Sequence, residues 1–332
     1  MESPAPGHRP RFDLFFNSAG RLRSGWRLTA FVLTFLTVFV ILLSVYRAAR
    51  MLIAGMPFVA SLYRGSAIII TERVLLFLIP ATLIGWALNR LLEDLPPRAL
   101  GWTLHRGWLR DAGIGISIGA LSLALAVALV LVAGGYSFSY AAAGVWPAVL
   151  RTLALSGLVF IVGAAAEEAT FRGYPLQTLL RSLPVWVAVI PSSLLFATVH
   201  LSNPHVVEGF TFLNTALAGV WLAVAYTRTR SLWFPLGVHF GWNWALGPVL
   251  GLPVSGITSL TRAPIMRATD NGPAWLTGGA YGIEGGTACT VALIVSTLFL
   301  LRTRLVSPDE ELKAMTDRES TLASGAEGAR DY

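Results

Sequence analysis

The sequence predicts an all-α protein, a polytopic transmembrane helix bundle with about eight spans. Three observations carry that prediction. Of 332 residues, 55% are hydrophobic and only 13% charged, with a mean hydropathy of +0.64, whereas a soluble domain carries about a quarter charged residues. Apolar runs of roughly twenty residues recur, each long enough to cross a bilayer core of about 30 Å. The arginines gather in alternate connections between these runs, as in the cytoplasmic loops of membrane proteins.

The chain opens on a polar, basic tail, residues 1–27, too long and too polar for a removable signal peptide. The first apolar run is therefore expected to act as an uncleaved anchor. Spans are expected at roughly 28–46, 67–88, 111–133, 146–170, 184–202, 209–226, 232–250 and 283–301, making 28–301 the transmembrane domain. Arg9, Arg11, Arg21, Arg23 and Arg27 precede the first span, and Arg90, Arg98, Arg106 and Arg110 lie between the second and third. Arg228 and Arg230 follow the sixth; Arg302, Arg304 and Lys313 follow the eighth. The connections 134–145 and 203–208 hold no arginine or lysine, although 47–66 holds three. Both termini are accordingly expected in the cytoplasm. Residues 251–282, rich in Gly, Pro and Thr, read as an irregular extracytoplasmic loop. The C-terminal tail, 302–332, is expected to be cytoplasmic, and the polar stretches 1–20 and 306–332 to be disordered.

Several classes are excluded. One cysteine, Cys289, permits neither an intrachain disulfide nor a cysteine metal cluster. The net charge of +7 is no nucleic-acid signature, because the basic residues, all arginine except Lys313, cluster in particular loops. A small-solute transporter is kept only as the weaker alternative, since it would be expected to show inverted or parallel repeats, and none is visible. The preference for arginine over lysine suggests a GC-rich bacterial genome and hence a plasma membrane.

Ionisable groups inside a membrane are expensive and face a protein interior or a wet cavity. The run AAAEEATFRG, 164–173, places Glu167, Glu168 and Arg172 at the end of the fourth span. Glu168 and Arg172, four apart, share a helix face, whereas Glu167 points about 100° away with no partner in its own helix. The fifth span carries Phe196 and His200, the seventh His239 and Asn243, each pair again four apart. A carboxylate, two imidazoles and an amide on three helices would, if they converge, build a polar site around water.

These residues resemble the motifs of the CPBP intramembrane endopeptidases, which include the type II CAAX prenyl proteases and bacteriocin-processing enzymes. The family pattern EExxxR, FxxxH, HxxxN is matched in order and spacing by Glu167 to Arg172, Phe196 to His200 and His239 to Asn243. The resemblance covers about 105–250 closely. It implies hydrolysis of a peptide bond in a membrane-associated peptide or protein. Glu167 would then act as general base on water and His200 would help hold that water. His239 and Asn243 would donate to the oxyanion, and Glu168, Arg172 and Phe196 would give structural support. No cofactor is expected. Zinc is the alternative, held by Glu167, His200 and His239 as in His₂Glu sites, although no HExxH is present and Asn243 suits an oxyanion donor better.

Each residue also has a plainer reading. EExxxR alone could be a membrane-edge salt bridge, HxxxN helix–helix glue, and Phe196 packing. Glu72 and Arg73 read as a structural or interfacial pair, Asn214 as glue, and His8, His105 and His205 carry no role. A catalytically silent scaffold or immunity-like protein of the same fold is the competing function. Depth sets one puzzle. At about 1.5 Å per residue, His239 lies about 12 Å into its span and His200 about 24 Å into its own. Either the fifth span begins later than 184, with part of 173–190 at the interface, or the helices tilt strongly.

Overall fold

The structure, a computed structural model, describes residues 13–17, 20–56, 66–206 and 209–317. Its helices are α1 (Ser24–Ala54), α2 (Ser66–Leu92), α3 (Trp108–Val132), α4 (Trp146–Phe171) and α5 (Tyr174–Leu180). They continue with α6 (Val185–His200), α7 (Phe210–Thr229), α8 (Trp233–Trp244), α9 (Thr287–Arg302) and α10 (Glu310–Thr316). Every expected span falls on a helix. Among the described residues, five runs can cross a membrane by length and composition: α1, α2, α3, the stretch through α4 and α5, and α7; α6 and α9 are shorter apolar helices.

The core is built from α3, α7, α8 and α9, with Val130, Ala225, Phe234, Val238 and Ala292 almost fully buried. Helices α3 and α8 touch backbone to backbone. Gly115 and Gly119 on α3 face α8, and Gly237 and Gly241 on α8 face α3. A Cβ on Gly119 would lie 2.8 Å from the Trp242 nitrogen, and one on Gly241 2.8 Å from the Ile116 Cα. Small residues four apart permit this approach, in which dispersion rather than hydrophobic expulsion joins membrane helices. Polar bonds add to it: Trp221 Nε1 and Ser122 Oγ both donate to Ser296 Oγ, at 2.8 and 2.7 Å, tying α7 and α3 to α9.

Helix α1 buries only Ser24, Arg27, Phe31 and Phe35, a stripe spaced by three and four residues in its first half. Phe31 stacks on Tyr174 at 5.7 Å and Phe35 meets Phe77 at 6.3 Å. Arg27 is completely buried, 3.4 Å from Glu93, which also pairs with the buried Arg181. Arg27 is thus consumed inside the bundle rather than standing among the loop charges.

Four expectations need correction. The fold is not purely helical: β1 (Tyr136–Tyr140) and β2 (Met266–Asp270) form an antiparallel ribbon, Tyr136 opposite Asp270 and Tyr140 opposite Met266. The alternation in YSFSY is a strand's period of two. The 251–282 connection is consequently not irregular throughout. Residues 47–54 of the expected connection 47–66 continue α1. Disorder does not extend to the described ends. Near the N-terminus Phe16 bridges Leu22, and α10 docks through Arg98–Glu311 at 2.6 Å, Arg230–Asp317 at 3.0 Å and the buried Leu312. The remaining tail residues, 1–12, 18–19 and 318–332, lie outside the described residues.

Candidate active site

Helix α4 stops at Phe171 because Gly173 turns the chain: a Cβ there would strike the Ala169 carbonyl oxygen. The chain resumes as α5, wholly buried, before α6 begins at Val185. The fifth span therefore starts where expected, and 174–180 is a separate short helix. His200 and His239 nonetheless reach one level, the Nε2 atom of each lying within 4 Å of Glu167 Oε2.

The three motifs converge. Glu168 is fully buried, and its Oε1 accepts from Arg172 Nη1 at 3.3 Å and from His239 Nδ1 at 2.9 Å. Arg172 Nη2 donates to the Gly219 carbonyl at 3.1 Å, and its guanidinium lies over the Phe196 ring at 4.5 Å. Phe196 is thus more than filler. It offers the buried cation a π face and touches His200, ring centroids 4.4 Å apart.

Glu167 points the other way, into a cavity of about 550 Å³. Its Oε2 lies 3.8 Å from His200 Nε2 and 3.7 Å from His239 Nε2. Its Oε1 lies 3.7 Å from Arg73 Nη1. The tautomers follow from the other nitrogens. His200 Nδ1 is 2.7 Å from the Phe196 carbonyl, and His239 Nδ1 faces the Glu168 carboxylate. A carbonyl and a carboxylate only accept, so both Nδ1 atoms carry the hydrogen and both Nε2 atoms face Glu167. Asn243, one turn beyond His239, lines the same cavity with no hydrogen-bond partner among the described residues.

The sequence missed two members. Arg73 does not pair with Glu72, which instead meets Arg50 at 3.6 Å. Adjacent helical residues diverge by about 100°, and that geometry was the available signal. A π-helical stretch, Arg73–Leu78, opens on Arg73 within α2, a feature frequent at functional sites. Glu284, just before α9, lines the cavity and accepts from Trp242 Nε1 at 3.0 Å and from Ser255. Its signal was an acid at a span edge with no basic residue within four positions. Asn214 is glue, as expected: Nδ2 donates to the carbonyls of Glu284 and Gly286, each at 2.8 Å. His105 sits 3.9 Å from Asp111, away from the cavity. His8 lies outside the described residues. Burial pushes the Tyr281 phenol up to about 12, helped by the nearby Glu284, so this cavity wall residue remains neutral.

The donor set was tested against zinc. Two imidazole Nε2 atoms beside a carboxylate are suitable ligand types, yet no three His, Cys, Asp or Glu among the described residues converge as a metal requires. Arg73 already places a cation against Glu167, which opposes a dication on the same carboxylate. The set does not suit a zinc ion.

No curated protein and no solved structure matches the chain. Residues 149–245 match the family model described as Rce1-like, type II CAAX prenyl endopeptidase. That segment contains Glu167, Glu168, Arg172, Phe196, His200, His239 and Asn243. The match supports the family resemblance read from the three motifs: the segment 149–245 is similar to the Rce1-like, type II CAAX prenyl endopeptidases.

Proposed function

We propose that the chain is an intramembrane endopeptidase in which Glu167 activates water to hydrolyse a peptide bond of a membrane-associated peptide or protein. The family supports a multi-pass membrane protease. The observation that carries the catalytic type is a single one: the Glu167 carboxylate meets two imidazole Nε2 atoms at 3.7 and 3.8 Å within an apolar bundle. A water in that space can give one proton to Glu167 and a hydrogen bond to the bare Nε2 of His200. Both gaps exceed a direct hydrogen bond and suit a bridging water.

The steps balance. Glu167 takes a proton as the water oxygen attacks the carbonyl carbon. The carbonyl π pair moves onto oxygen, and the oxyanion is met by the Asn243 amide. His239, flanked by Glu167 and Glu168, contributes a second donor in its imidazolium form, since its Nδ1 hydrogen is committed to Glu168. Collapse expels the amine, which takes the proton back from Glu167. Fixed donors at a developing oxyanion in a low-dielectric site commonly contribute about 2.7–4 kcal/mol each.

A silent scaffold would keep the fold without turnover. The discriminating experiment compares membrane peptides from host cells lacking the protein and complemented with wild type or His200→Ala. A precursor that is cleaved only with wild type supports the reading; identical peptide sets with both would favour the scaffold.

A further inference from the structure

The cavity lining holds two carboxylates, Glu167 and Glu284, and its basic side chains, Arg73, His200 and His239, all gather at Glu167. Arg73 faces Glu167, and Arg172 is committed to Glu168 outside the lining. Among the described residues no Arg, Lys or His lies within 4 Å of Glu284. Its oxygens are instead held by neutral donors: Trp242 Nε1 on Oε1, and the Ser255 backbone N–H and hydroxyl on Oε2. Trp242 lies on α8 between His239 and Asn243, so Glu284 is fixed to the helix that presents them. The carboxylate remains partly accessible to the cavity, and Oε1 retains an unused acceptor direction.

An unpaired carboxylate in apolar surroundings is expensive, and its counter-charge can arrive with a ligand. A metal ion is a poor candidate, because among the described residues no group of three His, Cys, Asp or Glu side chains could hold one there. Among the described residues, Tyr281, Asn203 and Asn214 on that part of the lining are neutral, and His200 faces Glu284 from beyond 4 Å. We propose that Glu284 is a specificity-determining residue that receives a cationic group of the substrate, an amino terminus or a lysine or arginine side chain. This rests on the peptide-hydrolase reading above and names its substrate class: an apolar peptide bearing one positive charge near the scissile bond.

The test is binding to the full-length Glu167→Gln protein in detergent, which needs no turnover. The probes are synthetic leucine–alanine peptides of about twenty residues, carrying one lysine, norleucine or glutamate at successive positions. At one position lysine should bind on the order of tenfold tighter than norleucine, the factor a charge-assisted hydrogen bond supplies, and glutamate weaker than either. Adding Glu284→Gln should bring the lysine-to-norleucine ratio near one. If Glu284 only pins Trp242 and Ser255, that substitution weakens all probes alike and leaves the ratio unchanged, overturning the proposal. A flat profile in the protein that retains Glu284 overturns it without relying on a second variant to fold. Failure of every probe to bind overturns both this proposal and the peptide-hydrolase reading.

Discussion

Neighbouring glutamates should respond to the same substitution in opposite ways. Glu168→Gln replaces a fully buried carboxylate that accepts from Arg172 Nη1 and His239 Nδ1. Glutamine offers one acceptor oxygen and turns an NH₂ donor toward the rest of that pair of donors. Arg172, 1% exposed, loses its anion and keeps only the Gly219 carbonyl and the Phe196 face. Removing one partner of a buried ion pair costs about 3–5 kcal/mol; the retained contacts place this case near the lower end. About 3 kcal/mol is a large part of a typical stability of about 5–15 kcal/mol. Glu167→Gln is different. Glu167 and Arg73 are 19% and 37% exposed, 3.7 Å apart, and such a pair contributes about 1 kcal/mol or less. Thermal melting of both variants in one detergent, read by tryptophan fluorescence, makes the comparison. Glu168→Gln should melt well below wild type with poor yield, and Glu167→Gln close to wild type. Equal melting points would refute the division into a structural and a reactive glutamate.

Asn243→Ala should lower kcat by about 10²–10³ and leave KM nearly unchanged, since the oxyanion exists only after attack; steady-state kinetics on a cleaved peptide checks this. Activity should survive exhaustive chelation, and elemental analysis should find no stoichiometric zinc; about one zinc per chain, lost in both His200→Ala and His239→Ala, would show that the metal-free scheme is wrong. If both termini are cytoplasmic, as the arginine distribution predicts, single cysteines introduced at 98–106 and 310–317 should be labelled only from inside, and those at 255–280 only from outside. The native Cys289 is buried and gives little background. Outside labelling of the C-terminal tail would overturn an even number of crossings.

Helix positions were legible because apolar run length is a property of the sequence itself, and the motif residues because four-residue spacing puts side chains on one face. Pairings between helices were not. Arg73 and Glu167 are far apart in sequence, and only the packing of α2 on α4 brings them together. Glu93, shared by Arg27 and Arg181, was hidden because each of the three lies near a span end, where loop charge is the ordinary reading. The second partner of Glu168 was not legible either. The sequence offers Arg172 as its partner at four residues, while His239 arrives from 71 positions away and thereby sets its own tautomer. The ribbon was written in YSFSY, but five residues between long apolar runs are easily absorbed into a loop.

Turnover of Glu167→Gln, measured in protein whose melting point matches wild type, tests the central claim most directly. A glutamine amide cannot take a proton from water, and loss of a general base costs about 10²–10⁴ in rate. Cleavage of a membrane peptide should therefore fall by at least about a hundredfold while the fold remains intact. Wild-type turnover in that correctly folded variant would contradict glutamate-activated hydrolysis.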